Sequence, residues 1–323
     1  MPARPQRIAF VGQRTYFHAC ALHEESERTV TTFIDHRAGR DSALVRSRLD
    51  AFGPDAVVLF RPETLAPGTL AGLPAPVLGF LTEPISRETG GGGRHWDLEA
   101  RRRDLRETDP RNVDRIVSFD PMIAEVAEAE TGLPVWRSQP LPVADHLFGQ
   151  VTDPPAGSHP RMIFVGRSTV HREQFLLEVK HRFDVLHLAF GIQEDELARL
   201  LPRFHVTFNV HNEPYPSFEN RVLIHLAAGH LVITEPLSPS HGLVAGQDYI
   251  EVTTPDELTT AAAAADRDLA AMRSIRESGR GKAENVRASV VWPELIGAMR
   301  SDIAEHGSHR SGAEVIAGSA PAG

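Results

Sequence analysis

Residues 206–236 read "VTFNVHNEPYPSFENRVLIHLAAGHLVITEP". The stretch opens on an apolar run, 206–210, and leaves it through Asn209 and His211. A polar loop marked by Pro214 and Pro216 follows. An apolar helical segment then runs to Gly229, and a second apolar run occupies 231–236. Strand, helix and strand in this order form a βαβ unit. Both strand candidates are continuously apolar rather than alternating, the pattern of strands covered on both faces.

The same alternation continues outward. On the amino-terminal side lie strand candidates 162–166 and 185–190, with helices from about 172 and near 193–201. On the carboxyl-terminal side lie 249–252 and helices from about 255 to 304. Further upstream, 7–12, 30–35, 56–60, 76–81 and 115–120 are strand candidates, with helices over 41–51, 97–107 and 121–131. The last of these is introduced by Asp120 and Pro121, an N-cap and first-turn pair. Between the two series, "VTDPPAGSHP" (151–160) is rich in proline, glycine and small polar residues and reads as a linker. The predicted fold class is α/β, with two doubly wound Rossmann-like domains at 1–150 and 161–283. A helix at 284–305, interrupted by Pro293, and a small, polar, disordered tail at 306–323 complete the reading.

Composition narrows the function. The chain has 323 residues, 41% hydrophobic and 24% charged, with a net charge of −9. An acidic chain without a lysine or arginine block argues against non-specific nucleic-acid binding. Cys20 is the one cysteine, so no disulfide forms within the chain. The start, "MPARPQRIAFVG", lacks a signal-peptide apolar core, and no run reaches the roughly 18 apolar residues of a spanning segment. The expectation is a cytoplasmic protein without a transmembrane segment.

Several common chemistries leave no trace. The Gly-x-Gly-x-x-Gly fingerprint is missing from "FVGQRTYFH" and "FVGRSTVHR", where each first strand ends in a single glycine, Gly12 or Gly166. The phosphate-binding loop ending in Gly-Lys-Ser/Thr and the nucleophile elbow are absent too. The 16 histidines include no His-Glu-x-x-His pair, so no metal site is predicted. "TGGGG" (89–93) reads as a loop.

The second domain carries more. Open α/β sheets bind ligands beyond the carboxyl ends of their strands. Gly166 and Arg167 sit at one such end, and Arg172 starts the next helix. They form a diphosphate site if they converge and a solvated surface if they do not. Gly191 breaks the strand at 185–190. Asn209 and His211 leave the strand at 206–210, as ligands or as turn-makers. Ser217 is expected to cap a helix over 218–228, with Glu219 and Asn220 in its first turn. Arg221 lies in that turn as well, where a cation opposes the helix dipole unless an anion is near. That anion is a ligand, or a carboxylate such as Glu213 or Glu219.

These residues resemble a family. "FVGRSTVHREQF" (164–175), "HLAFGIQEDELARLLPRFHVTFNVH" (187–211), "SFENRVLIHLAAGHLVITEP" (217–236) and "GLVAGQDYIEVTTPDEL" (242–258) are similar to the carboxyl-terminal half of GT-B group-1 glycosyltransferases. Asn209 and His211 at the strand end, and the helix from Arg221 to Gly229, narrow the resemblance to the CgeB-like (spore-maturation-protein-like) branch. "LPVADHLF" (141–148) resembles the segment that closes the first domain. The resemblance is good over about 160–260 and is one of topology, plus "LTEP" (81–84), in the first domain.

The resemblance implies two Rossmann-like domains facing across a cleft, with the donor, a nucleotide-diphosphate sugar, on the second and the acceptor on the first. It implies a hexosyltransferase-like, metal-independent enzyme without a cofactor, whose leaving diphosphate is met by arginines and a helix N-terminus. Gly166, Arg167, Arg172, Gly191, Asn209, His211, Ser217, Glu219, Asn220 and Arg221 would hold the donor. The acceptor is a glycan, lipid, protein or small molecule. His18, in "GQRTYFH" (12–18), and Glu83 are the candidate bases. One departure stands out: Pro216 and Ile224 occupy the positions where group-1 enzymes carry two glutamates eight apart. A non-catalytic binding or scaffold protein, or a nucleotide-sugar epimerase, shares the fold and is the alternative.

Overall fold

The structure, a computed structural model, describes residues 4–83, 85, 98–189 and 192–310. The chain divides into two compact units. Residues up to Leu141, with those from Ala288 onward, make the first, and Pro142–Arg287 make the second. The sequence placed the break later, at 151–160.

In the first unit the order is β1 (Gln6–Gly12), α1 (Arg14–Phe17), β2 (Thr29–Asp35), α2 (Ser42–Phe52), β3 (Ala56–Phe60), β4 (Val77–Leu81), α3 (Leu98–Arg106), β5 (Arg115–Ser118), α4 (Ala124–Thr131) and β6 (Val135–Ser138). The strands form a parallel sheet in the order β2-β1-β3-β4-β5-β6. β3 and β4 are buried along their whole length, which is why their sequences are unbroken apolar runs. Helix boundaries follow local chemistry. Asp41 caps α2 by accepting from the Ala43 amide at 2.9 Å, and Gly53 ends it at φ +61°. Asp120 accepts from Met122 N at 2.8 Å and opens the turn before α4, as its pairing with Pro121 predicted.

In the second unit the order is β7 (Met162–Val165), α5 (Val170–Arg182), β8 (Val185–Leu188), α6 (Glu194–Leu200), β9 (Val206–Asn209), α7 (Arg221–Ala227), β10 (Leu231–Thr234), β11 (Ile250–Glu251), α8 (Pro255–Arg267) and α9 (Arg273–Ala283). Its parallel sheet runs β11-β10-β9-β7-β8. α7 ends at Ala227, and Gly229 turns the chain beyond it at φ +83°; a Cβ there would lie 2.7 Å from the Gln150 carbonyl, so no other residue fits. Thr254 caps α8, with Pro255 in its first turn.

The last helix, α10 (Ala288–His306), belongs to the first unit. Trp292 is fully buried there, its ring centroid 5.3 Å from Phe10 and 5.9 Å from both Phe60 and Phe80. Its indole N–H donates to the Cys20 carbonyl at 2.8 Å. The tail predicted to be disordered from 306 is anchored at its start. Arg310 is buried, donates to the Leu70 and Ala75 carbonyls, each at 3.0 Å, and pairs with Asp114 at 3.1 Å. Residues 311–323 lie outside the described residues. Among the described residues, no helix is long and apolar enough to cross a membrane.

Candidate functional site

Strand order locates the place to look. In the second unit the chain leaves β7 for β8 on one side of the sheet, then returns to lay β9 on the other. The connections after β7 and β9 part in opposite directions, and a parallel sheet opens a crevice at such a point. The residues after these strands, together with the loop before α7, build a cluster of arginines.

Gly166 follows β7. A Cβ there would stand 3.2 Å from Nη1 of Arg172 and 3.4 Å from Nη2 of Arg221, so glycine leaves room for two guanidiniums. Thr169 caps α5 by accepting from Arg172 N at 3.3 Å, and its hydroxyl donates to the Asn212 carbonyl at 2.9 Å. Arg172 is thereby fixed in the first turn and is 2% exposed. Its Nε donates to Val210 O at 2.9 Å, its Nη1 to Arg167 O at 3.1 Å and Asn212 Oδ1 at 3.3 Å, and its Nη2 to Glu219 Oε1 at 2.8 Å. Arg221 donates to Asn209 Oδ1 at 3.3 Å and pairs with the same Glu219. Both guanidiniums lie over the Phe164 ring, at 5.5 and 5.6 Å from its centroid. Arg167 is exposed and donates to Asn212 Oδ1 at 2.9 Å.

The electrostatics follow. Burial, and then repulsion from Arg167, pull Arg172 down to about 10, which leaves it charged at neutral pH. Burial and the charge of Arg172 pull Arg221 down as well. Guanidiniums hold their proton strongly, so the cluster keeps its charge and gains from any anion that reaches it.

A second layer forms behind it. The His211 amide donates to Glu235 Oε2 at 2.7 Å, and His211 Nε2–H donates to the Pro236 carbonyl at 2.9 Å. Its Nδ1 is then the acceptor for the Ser217 hydroxyl at 3.0 Å. Burial holds the imidazole below its ordinary range, against the pull of Glu235, so it is neutral. His171 Nε2 is 2.9 Å from Glu235 Oε1. Asn209 donates through Nδ2 to Thr234 Oγ1 at 2.8 Å, which turns its Oδ1 towards Arg221.

The structure therefore brings together Gly166, Arg167, Arg172, Asn209, Glu219 and Arg221, with His211 and Ser217 behind them. Two expectations change. Ser217 is not the N-cap of the helix. α7 begins at Arg221 after Asn220, which is already helical and makes no side-chain cap. Ser217 instead bridges to Leu237, because the loop is held to the exit of β10. Gly191 and the glycine run 89–93 lie outside the described residues.

His18 and Glu83 belong to the first unit. His18 Nε2 is 2.9 Å from Nη1 of Arg14, and a guanidinium can only donate, so that nitrogen is occupied as an acceptor. Glu83 is held by Arg61 at 3.2 Å and by Arg101.

Sequence reasoning passed over Asn212, Glu235, His171 and Thr169. Asn212 and Thr169 carried no signal beyond lying near a strand end. Glu235 carried one: the triplet "TEP" occurs twice in the sequence, at 82–84 next to β4 and at 234–236, where β10 ends at Thr234.

No protein-family model matches the sequence, and no curated protein matches it. Solved structures do resemble the fold. HepE of Anabaena in complex with UDP is 10% identical, with 92% of this chain and 100% of that chain covered, at a TM-score of 0.53. Sucrose-phosphate synthase of Thermosynechococcus elongatus is 12% identical, covering 93% and 100%, at 0.55. α,α-Trehalose 6-phosphate synthase of Burkholderia multivorans is 12% identical, covering 82% and 76%, at 0.52. At such identities the likeness speaks for architecture: the chain has the α/β fold of the GT-B glycosyltransferases, built on two parallel sheets.

Proposed function

We propose that the chain is a glycosyltransferase that takes its sugar from a nucleotide-diphosphate donor held by the second unit. The observation that carries this reading is the pair of guanidiniums, Arg172 buried and Arg221 half-buried, at the β7/β9 switch point. Negative charge grows on the leaving diphosphate as the glycosidic bond breaks, and preorganised cations stabilise it there. Arginine suits the task because its planar fork pairs with two phosphate oxygens at once. In this reading the guanidiniums meet the charge without a metal ion. The helix contribution assigned to 218–228 falls away, since α7 is a seven-residue helix led by a cation. HepE, a structural neighbour bound to UDP in one structure and to UDP-glucose in another, supports a uridine donor as the first to try. The Arg221-to-Gly229 helix and the Asn209/His211 strand end support the CgeB-like branch.

UDP at 100 times its Kd stabilises a one-site protein by about 2.7 kcal/mol, enough for a clear rise in Tm. The expected result is a rise with UDP or UDP-glucose that persists in EDTA and is lost in Arg172→Ala and Arg221→Ala. Absence of any shift at millimolar concentrations of a full set of nucleotide diphosphates and nucleotide sugars overturns the reading. A second reading, a binding protein without turnover, is favoured by Ile224, which is buried where the group-1 resemblance expects an acid. Release of UDP from UDP-glucose, measured with and without a panel of glycan acceptors, separates the two.

A further inference from the structure

We propose that Glu219 is an internal counter-anion, which the diphosphate of an incoming nucleotide must displace to bind. The inference rests on the donor reading above and deepens it, by naming the residue that sets how tightly the arginine cluster takes an anion.

Glu219 touches both guanidiniums. It accepts from Arg172 Nη2 at 2.8 and 3.1 Å and pairs with Arg221. Among the described residues its carboxylate makes no other hydrogen bond. Its side chain is 18% exposed, close to the 15% of Arg221 and well above the 3% of Arg172, so the carboxylate and Arg221 share the more open side of the cluster.

Its departure leaves the guanidiniums in place. Arg172 keeps its bonds to Val210 O, Arg167 O and Asn212 Oδ1, and Arg221 keeps its bond to Asn209 Oδ1. What becomes free is Nη2 of Arg172 and one edge of Arg221, the two groups over the Phe164 ring. Among the described residues, Glu219 is the one carboxylate bonded to both guanidiniums; Arg167 stands beside them, and Glu235 and Glu213 act on Arg172 only through space. A diphosphate brings at least two charges and more acceptor oxygens to the same donors. It cannot sit beside Glu219 without like-charge repulsion, so the carboxylate must leave the guanidiniums as the ligand arrives.

Titration calorimetry with UDP and, separately, with inorganic pyrophosphate tests this on wild type, Glu219→Gln and Glu219→Asp. Glutamine keeps an acceptor for Arg172 and removes the charge. Aspartate keeps the charge and withdraws it by one methylene. Glu219→Gln is expected to bind both ligands about tenfold more tightly than wild type, and Glu219→Asp more tightly by a smaller factor. Equal gains for UDP and pyrophosphate place the effect at the phosphates; a gain for UDP with none for pyrophosphate overturns the proposal. Wild-type binding that is unchanged or weakened in both variants also overturns it and leaves the donor reading standing. Failure of all three proteins to bind either ligand overturns both. If Glu219→Gln does not fold by circular dichroism, Glu219→Asp alone decides: binding no tighter than wild type is the overturning result.

Discussion

Arg172 engages acceptors on four residues from one planar group, and an ammonium cannot reproduce that fork. Arg172→Lys retains the charge but takes from the buried Val210 carbonyl its 2.9 Å donor, leaving it Arg221 Nη1 at 3.5 Å. A loss of about 1–3 kcal/mol is expected, read as a lower urea midpoint at an unchanged m-value. Nucleotide affinity should fall in the same variant, since a point charge pairs less well with two phosphate oxygens. At this scale the sequence was informative where a residue broke a local rule. Arg221 drew notice because a cation opens a helix, and the structure supplies the anion in Glu219, one of the carboxylates it was expected to meet. Asn212 broke no rule. Its role comes from accepting bonds from Arg167 and Arg172 at once, and only folding brings those donors to it.

Among the elements, β3 and β4 were legible because strands covered on both faces are uniformly apolar. β6 was not. It is an edge strand, half-exposed at Val135 and Trp136 and exposed at Arg137 and Ser138, so it has no apolar run to show. The start of α7 was misplaced by three residues. Ser217 has the chemistry of a cap, but its hydroxyl is engaged by His211 and its backbone by the exit of β10. α10 is held by one side chain above all. Trp292→Ala removes a fully buried indole and its bond to the Cys20 carbonyl. A loss of about 3–5 kcal/mol is expected in the first unit. Amide exchange should register it as lower protection in β1 and β3, with β9 and β10 unchanged; equal loss in both units would show that α10 does not act locally.

Across the whole molecule, the histidines that burial pulls down are unevenly shared: among the described residues, His309 is the one in the first unit. His205, His211, His225, His230 and His241 of the second unit are all held below the ordinary imidazole range, burial being the largest cause in each. His230 and His241 come down to about 4. His230 Nε2–H donates to Leu201 O at 2.9 Å, so its Nδ1 accepts from Nδ1–H of His225 at 2.9 Å, and a proton added to His230 would break that bond. The unfolded chain takes up these protons first, near pH 6.5. The stability they contribute is complete above that pH and is lost as pH falls towards about 4, the value for His230 and His241. The slope is at most about 1.4 kcal/mol per pH unit for each histidine. The opening free energy of β10 amides should therefore fall more than that of β4 amides between pH 7.5 and 5.5; equal falls would count against this. The two-sheet α/β plan was legible at this scale, because each βαβ repeat announces itself locally. The unit boundary was not, because a proline-rich stretch marks a loop and says nothing about which side of it the contacts lie. Nor did anything in "SVVWPELIGAM" say that Trp292 would close the aromatic slot of Phe10, Phe60 and Phe80. That closure has a consequence in time. A ribosome adding about 5–20 residues per second needs on the order of ten to thirty seconds to make residues 142–287. For that interval the nascent first unit carries an open apolar slot while the second unit, unbroken in sequence, is still being made, and release of a chain truncated before α10 would leave the slot open for good.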